Sequence, residues 1–258
     1  MDNNTELDSD IVFSKDIHVR SYEVDAKGHF SMQAICNHLQ DMAWEHAGRL
    51  GFGYEHLAQQ NLFWVLSRLK IKIIKYPIWN DKVILKTWPS GSKKLFAYRD
   101  YTIEDKNGQP LIAATSAWLI LDKVKHRPQL SGFLSDFPSI PESRVHKNDL
   151  EKLPSFELNK KNRFITVLFS HLDVNQHMNY GRYIQWIMDS YPPEIHLNDQ
   201  LESLEINFLA EAELNDGIAV QTKKLPGTKN QFLHSLIRKH DKKEIIRARL
   251  IWDKSTHF

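Results

Sequence analysis

Apolar side chains recur every three to four residues between Ser31 and Gly51, and this period predicts one long amphipathic helix. Ser31 carries a hydroxyl that suits the position just before a helix, and Gly51 is a common helix terminator. The residues that share the apolar face are Ile35, Leu39, Met42, His46 and Leu50. A helix with such a face needs an apolar surface to pack against.

Strand-like stretches provide that surface. They are positions 17–24, before the helix, and positions 65–75, 83–88, 96–103 and 111–121, after it. In the second stretch apolar residues alternate with lysines, which is the period of a half-buried strand. Asn107 and Gly108, between the last two stretches, predict a hairpin.

The same order of elements recurs after an irregular interval that contains four prolines, Pro128, Pro138, Pro141 and Pro154. A strand is predicted at 164–169 and a helix at 180–188. Further strands are predicted at 204–209, 218–225, 232–238 and 245–252. We therefore predict an N-terminal domain over residues 11–127, a linker over 128–160 and a C-terminal domain over 161–254.

Short signatures repeat in the two halves in the same order, which indicates a tandem duplication. The matched pairs are Asp25-x-x-x-His29 with Asp173-x-x-x-His177, Asn80-Asp81 with Asn215-Asp216, and Asp122-Lys123 with Asp253-Lys254. One long helix followed by antiparallel strands is an α+β unit, with the helix on one face of the sheet. Two such units are expected to pair as a homodimer would.

Length, charge and cysteine content limit the number of domains and the kinds of partner that the chain can have. Its 258 residues suffice for two domains, and its net charge of +2 is too small to indicate a nucleic-acid partner. The single cysteine, Cys36, excludes an internal disulfide. The first residues are polar, and no apolar run approaches the ~20 residues of a membrane helix. We expect a soluble cytoplasmic protein that needs no cofactor and binds no metal.

The densest group of polar residues lies at 170–180, between a predicted strand and a predicted helix. Asp173, Asn175 and His177 alternate there, so an extended loop would turn all three side chains into one pocket. The helix that begins near Asn179 would add free backbone N–H groups, which suit a developing oxyanion. A structural reading stays open, in which Asp173 and Asn179 cap the helix and His177 packs beneath it.

The duplication favours a functional reading. Lys27 stands in the first half where Asn175 stands in the second, and the Asn-Asp signatures align Tyr76 with Glu211. The first half therefore keeps an Asp/His pair but lacks the amide and the second carboxylate. We interpret the second half as the working site and the first half as a relic specialised for binding.

Several segments resemble the acyl-acyl carrier protein (acyl-ACP) thioesterases of the plant type. They are Asp173-Val174-Asn175-Gln176-His177-Met178-Asn179, Tyr183-Ile184-x-Trp186-Ile187 and Phe208-Leu209-Ala210-Glu211, with Trp64-Val65-Leu66-Ser67-Arg68 and Tyr76-Pro77-x-Trp79-x-Asp81 in the first half. The resemblance runs from about residue 11 to residue 254. It implies a double hot-dog fold and hydrolysis of long- or medium-chain acyl-ACP thioesters, which terminates fatty acid synthesis.

The resemblance also implies roles for the polar residues. Glu211 would be the general base, while Asn175 and His177 would position the water and the substrate. Asp173 would either orient this group or attack directly. Backbone groups at Met178 and Asn179 would bind the oxyanion. Ala212 stands where plant members often have cysteine, and Cys36 lies on the first-half helix, so the sequence argues against a mechanism based on a cysteine nucleophile.

The acyl chain is expected to bind in the first half. The predicted binding residues are Met42, Ala43, Trp44, Ala47 and Trp64. The predicted partner is the acidic acyl carrier protein, which local basic clusters would attract. Those clusters are Lys93-Lys94, Lys123-x-Lys125-x-Arg127 and Lys223-Lys224.

Three other functions stay open at this point. An acyl-CoA thioester could replace the carrier-bound substrate, and a non-catalytic acyl-binding module would have the same fold. Hot-dog dehydratases act on 3-hydroxyacyl thioesters, and His29-Phe30 is similar to part of their motif, but Ser31 follows where they have proline. A homodimer is also left open.

Overall fold

A computed structural model of the chain describes residues 11–125, 127–129, 137–156, 164–228 and 230–254. The long helix predicted from the apolar period is present as α1, Met32–Arg49. The Ser31 hydroxyl accepts a hydrogen bond from the backbone N–H of Ala34, as the capping prediction required. The second predicted helix is present as α3, Tyr180–Met188, with the Asn179 side chain as its cap.

The described part of the chain contains ten strands and two further short helices. The strands are β1 Phe13–His18, β2 Leu62–Ile73, β3 Lys82–Lys93, β4 Phe96–Glu104, β5 Pro110–Asp122, β6 Phe164–Thr166, β7 Asp199–Phe208, β8 Gly217–Lys224, β9 Gln231–Arg238 and β10 Glu244–Lys254. The short helices are α2 Tyr54–Ala58 and α4 Pro193–Asn198, neither of which the sequence pattern predicted.

All ten strands form one antiparallel sheet whose order is β1-β3-β4-β5-β2-β7-β10-β9-β8-β6. The order on one side of the β2–β7 pair mirrors the order on the other side, which confirms the tandem duplication. At the centre Leu69 pairs with Ile206 and Ile71 pairs with Leu204. Between these pairs the Lys70 ammonium lies 3.0 Å from the Glu205 carboxylate.

The helices α1 and α3 pack together over this sheet. Side chains of α1 pack closely on α3 at Gly181, where an added Cβ would lie 2.8 Å from Oδ1 of Asn37. Buried apolar side chains from both halves form one continuous core. Each half is thus a helix on an antiparallel sheet, and the predicted α+β double hot-dog architecture is confirmed. No helix in the described ranges is both long and apolar enough to cross a membrane.

Two predicted strands are wrong in their extent. Positions 17–24 were expected as one strand, but β1 ends at His18 and a 3₁₀ turn follows at Ser21–Glu23. The Glu23 carboxylate folds the chain back, because it accepts the backbone N–H of Arg20 at 2.9 Å. The strand expected at 164–169 ends at Thr166 for the equivalent reason: Nδ1 of His171 accepts the backbone N–H of Leu168 at 3.0 Å.

The interval between the halves lies against the sheet where it is described. Asp100 accepts the backbone N–H of Val145 at 2.9 Å, and Asn207 accepts that of Leu153 at 2.7 Å. Positions 126, 130–136 and 157–163 lie outside the described residues. The domain boundaries proposed above therefore stay a prediction.

Candidate active site

One carboxylate holds the loop of the C-terminal half that carries the predicted catalytic residues. Oδ1 of Asp173 accepts the backbone N–H groups of Asn175 at 2.8 Å and His177 at 3.3 Å. The loop closes because the Asp173 N–H donates to the carbonyl of His177 at 2.8 Å. Gln176 lies in this turn with a φ of 64°, a left-handed conformation that non-glycine residues seldom adopt. Local strain of this kind is concentrated at functional sites.

The structure brings His177 and Glu211 together. Nδ1 of His177 lies 3.2 Å from Oε2 of Glu211, and the side chains are 36% and 51% exposed. The segment that carries Glu211 is fixed from two sides. The Ala212 N–H donates to the hydroxyl of Tyr183 at 2.9 Å, and the Glu211 carbonyl accepts from Arg238 at 2.8 Å. An imidazole beside a carboxylate is an arrangement suited to activating water.

The backbone groups predicted to bind an oxyanion are already occupied. The Met178 N–H donates to the carbonyl of Ala212, and the Asn179 N–H donates to the carbonyl of His171, both at 2.9 Å. The assignment of these two groups as oxyanion donors is therefore wrong for this geometry. These two hydrogen bonds hold the start of α3 to the segment that follows β7 and to the turn that ends at His171. The side-chain amide of Asn175 is a donor that the loop leaves exposed in the cavity wall.

A cavity of about 810 Å³ adjoins the loop and extends between α1 and the sheet of the N-terminal half. Its wall near the loop is mainly polar: beside Leu172 and Val174 it is formed by Gln33, Asn37, Gln40, Asp41, Ser170, His171, Asp173, Asn175, Asn179 and Arg182. Its wall farther along α1 is mainly apolar, formed by Ala43, Trp44, Ala47, Phe63, Trp64, Ala97, Trp118 and Phe137. The cavity thus joins a polar end in one half to an apolar end in the other.

Most of the predicted binding residues lie in this wall, but not all. Ala43, Trp44, Ala47 and Trp64 line it, as do Asp173, Asn175 and Asn179. Met42 does not, because it faces the main core and is 1% exposed. Its assignment to substrate binding is wrong: the apolar period identifies the buried face of α1 but does not separate core from cavity. The side chains of His177 and Glu211 lie next to the loop residues of the wall rather than in it.

Sequence reasoning missed Arg99, a fully buried cation in the wall. It donates to Nδ1 of His46 at 2.8 Å and to the hydroxyl of Thr87 at 3.2 Å. Burial lowers the pKa of its guanidinium. Charged residues are seldom fully buried, so only the three-dimensional position of Arg99 reveals its place beside the cavity.

The equivalent loop of the N-terminal half has the same backbone but a closed site. Oδ1 of Asp25 accepts the N–H groups of Lys27 and His29 at 2.8 and 3.0 Å. The His29 ring stacks on Tyr76 at 4.7 Å, where His177 meets Glu211 in the other half. The Lys27 ammonium and the Tyr76 hydroxyl donate to backbone carbonyls at the start of β7, at 3.0 and 3.1 Å. Burial raises the pKa of Tyr76 and lowers that of His29.

The cysteine of the chain takes no part in either site. Cys36 is fully buried in the core, and burial raises the pKa of its thiol. The Tyr180 hydroxyl donates to the carbonyl of Cys36, which joins α3 to α1. A thiol that stays protonated and inaccessible is not a nucleophile.

Comparison with protein families agrees with this geometry. The model of the acyl-ACP thioesterase N-terminal domain matches residues 10–130, and the model of the C-terminal domain of the same enzymes matches residues 157–254. The chain belongs to the acyl-ACP thioesterase family.

Relatives in this family share sequence along most of the chain. A palmitoyl-acyl carrier protein thioesterase of Gossypium hirsutum is 31% identical over 94% of this chain and 64% of its own length. An oleoyl-acyl carrier protein thioesterase of Arabidopsis thaliana is 28% identical over 92% of this chain and 74% of its own length. The chain thus spans less than two thirds of the length of the cotton protein.

Solved structures of family members have the same fold. An acyl-ACP thioesterase from Bacteroides thetaiotaomicron has 25% identity and a TM-score of 0.82, with 95% of this chain and 99% of that chain covered. The 12:0-ACP thioesterase from Umbellularia californica, at 24% identity and a TM-score of 0.81, shares the fold over 95% of this chain and 98% of its own.

Proposed function

We propose that the protein hydrolyses acyl-ACP thioesters and releases a free fatty acid. One observation carries the proposal. The His177–Glu211 pair, present in only one half, adjoins a cavity whose far end is apolar. The volume of about 810 Å³ lies within the range of roughly 300–1,000 Å³ that is usual for small-molecule sites. Family membership supports the same reaction.

In the proposed reaction the acyl chain occupies the apolar end, and the thioester lies beside Asn175. Glu211 removes a proton from a water molecule held by His177, and the water oxygen attacks the thioester carbon. The Asn175 amide donates to the carbonyl oxygen as negative charge develops on it. The C–S bond then breaks, and the departing thiolate takes up the proton that Glu211 received.

We assign Asp173 an orienting role rather than direct attack. Its Oδ1 is engaged with two backbone N–H groups. Asp25 makes the same two bonds in the half that has no counterpart of Glu211. An interaction found in both halves is better explained by the shared loop conformation than by chemistry that only one half performs.

We further propose the acyl carrier protein as the partner that delivers the substrate. Of the three basic clusters in the sequence, the one that begins at Lys123 supports this proposal: the Lys123 ammonium is 5.1 Å from the ring of Tyr54, a residue of the cavity wall. Lys93 is already paired with Asp149 at 2.6 Å. Cytoplasmic location and a homodimer stay predictions, and the cotton relative is named as a chloroplastic protein.

Thiol release from a panel of acyl-ACP and acyl-CoA substrates of varied chain length tests the function. The proposal expects hydrolysis with higher kcat/KM on the carrier-bound acyl groups. Equal or higher kcat/KM on the CoA thioesters would indicate that acyl-CoA, rather than the carrier-bound acyl group, is the substrate. Binding without thiol release from any member of the panel would contradict hydrolysis altogether and favour an acyl-binding module.

A further inference from the structure

His171 has a position in the polar wall that the reaction above does not use. It ends the 3₁₀ turn Phe169–His171, two residues before Asp173, and it lines the cavity. Its carbonyl accepts the N–H of Asn179, so the loop and the start of α3 fix its backbone. Its ring packs edge-on against Trp186 at 5.4 Å, which restrains the side chain.

The hydrogen bond at one ring nitrogen sets the tautomer of His171. Nδ1 accepts the backbone N–H of Leu168 at 3.0 Å, so Nδ1 bears a lone pair and the proton of the neutral ring is on Nε2. Burial, with a smaller contribution from Arg182, lowers the pKa of the ring and favours this neutral form. Within the described residues Nε2 has no hydrogen-bond partner, and it is not enclosed by protein.

The N-terminal half offers no such donor. Glu23 occupies the equivalent position, and its Oε2 accepts the N–H of Arg20 at 2.9 Å. Its other oxygen is bound by Nε2 of His38 at 2.7 Å. Both residues therefore cap a turn, but of the two only His171 lines the cavity and has a second ring nitrogen outside the turn.

We propose that His171 is a binding residue that donates its Nε2–H to an amide carbonyl of the thiol-bearing arm of the substrate. The inference rests on the proposed function, because pantetheine thioesters contain two amides on the sulfur side. A saturated acyl chain has no acceptor to offer, and its carbons fit the apolar wall around Ala43 and Ala47. The polar wall around His171 and Arg182 is thus the place where the arm is bound, on the opposite side of the thioester.

Three thioesters of the same acyl group distinguish binding of the arm from an effect of His171 on hydrolysis of every thioester. They are the pantetheine thioester with two amides, the N-acetylcysteamine thioester with one, and the S-ethyl thioester with none. We expect the wild-type chain to prefer an amide-bearing thioester to the S-ethyl thioester by about ten-fold in kcat/KM, the size of one net hydrogen bond. The comparison also shows which amide is bound.

Two variants complete the test. His171→Glu keeps an acceptor for the Leu168 cap, as Glu23 does in the other half, but has no N–H donor. It should abolish the preference for amide-bearing thioesters, because it lowers kcat/KM on them by about ten-fold more than on the S-ethyl thioester. His171→Gln keeps both an acceptor and a donor, and it should retain most of the preference.

An equal loss on all three thioesters in His171→Glu, or an undiminished preference, would overturn the assignment. Loss of the preference in His171→Gln to the same extent as in His171→Glu would do so as well. Thermal unfolding of each variant checks that the fold is intact. If the wild-type chain hydrolyses none of the three thioesters and no acyl-ACP, the proposed function fails, whatever the variants do.

Discussion

The two halves have the same backbone fold, but side chains fill the loop site in one half and the space between helix and sheet in the other. In the N-terminal half the space between helix and sheet is open, while Lys27 and Tyr76 close the loop site. In the C-terminal half the loop site carries His177 and Glu211, while aromatic side chains fill the space beneath the helix. There Tyr191 packs edge-on against Phe232 at 5.1 Å and against Trp252 at 5.0 Å.

The strand register shows where the two interiors diverge. Thr87 is opposite Tyr101 in one half, and the matching Thr222 is opposite His234 in the other. Two residues earlier on these strands, Arg99 lines the cavity where Phe232 fills the core. A single site assembled from both halves needs only one loop and one cavity. The loop of the N-terminal half and the interior of the C-terminal half can therefore be filled by packed side chains.

The two halves carry opposite charges where they meet at the centre of the sheet. Lys70 and Glu205 are at equivalent places beside the pseudo-twofold axis and form an ion pair. Two identical halves would place like charges opposite each other, which destabilises a sheet. The pair therefore stabilises the contact between two halves that differ in sequence.

The largest expected effect concerns chemistry in the C-terminal loop. Glu211→Gln removes the base but keeps the size of the side chain, so kcat should fall by at least about 10²-fold. Steady-state thiol release measures the change. Cys36→Ala is the control, because its thiol is buried and not part of the site, and it should leave kcat unchanged. Near-wild-type turnover in folded Glu211→Gln protein would remove this carboxylate from the mechanism.

The next effect is a loss of stability when an aromatic side chain is removed from the interior of the C-terminal half. Phe232→Ala would leave a void beside Tyr191 and should lower the free energy of unfolding by about 3–5 kcal/mol. Denaturant unfolding gives this value. The acyl-chain preference should not change, because we propose that the acyl chain binds in the cavity of the other half. A new preference for longer chains in this variant would show that the C-terminal interior also binds substrate.

A smaller effect is expected when the open interior is partly filled. Ala47→Leu adds carbons to the cavity wall, so kcat/KM should shift toward shorter acyl chains by about 1–3 kcal/mol. Gly48→Ala, on the same helix, is the matched control, since an added Cβ there contacts nothing. An unchanged chain-length profile in Ala47→Leu would mean that the chain binds elsewhere.

The smallest effect concerns the strained turn of the working loop. Gln176 has a φ of 64°, and Gly28 at the equivalent place has a φ of 76°. Gln176→Gly should raise the free energy of unfolding by about 0.5–1 kcal/mol, and Gly28→Gln should lower it by about the same amount. Thermal or denaturant unfolding distinguishes the signs. Destabilisation by Gln176→Gly would mean that the side chain contributes more than its backbone strain costs.

Much of this comparison could be predicted from the sequence. Period and capping predicted α1 and α3, and repeated signatures predicted the duplication. The alignment of Tyr76 with Glu211 is confirmed by matching hydrogen bonds, from Phe30 to Pro77 in one half and from Met178 to Ala212 in the other.

The remainder depends on contacts between distant segments. Nothing in the sequence shows that the side chains of Glu23 and His171 bind preceding backbone N–H groups. These bonds make β1 and β6 end earlier than predicted. The match of Arg99 with Phe232 depends on how β4 pairs with β3 and how β9 pairs with β8, and the repeated signatures do not include that register. Contacts between distant segments also decide that Met42 lies in the core alone, while Ala43 lies in the core and lines the cavity as well.

The central claim is that only one of two similar loops performs hydrolysis, and a matched pair of variants tests it most directly. His177→Ala and His29→Ala remove the same side chain from equivalent loops, and kcat for both is measured on one acyl-ACP substrate. We expect a fall of at least about 10²-fold for His177→Ala and little change for His29→Ala when both proteins are folded. Comparable losses in both variants, or a larger loss for His29→Ala, would contradict the account.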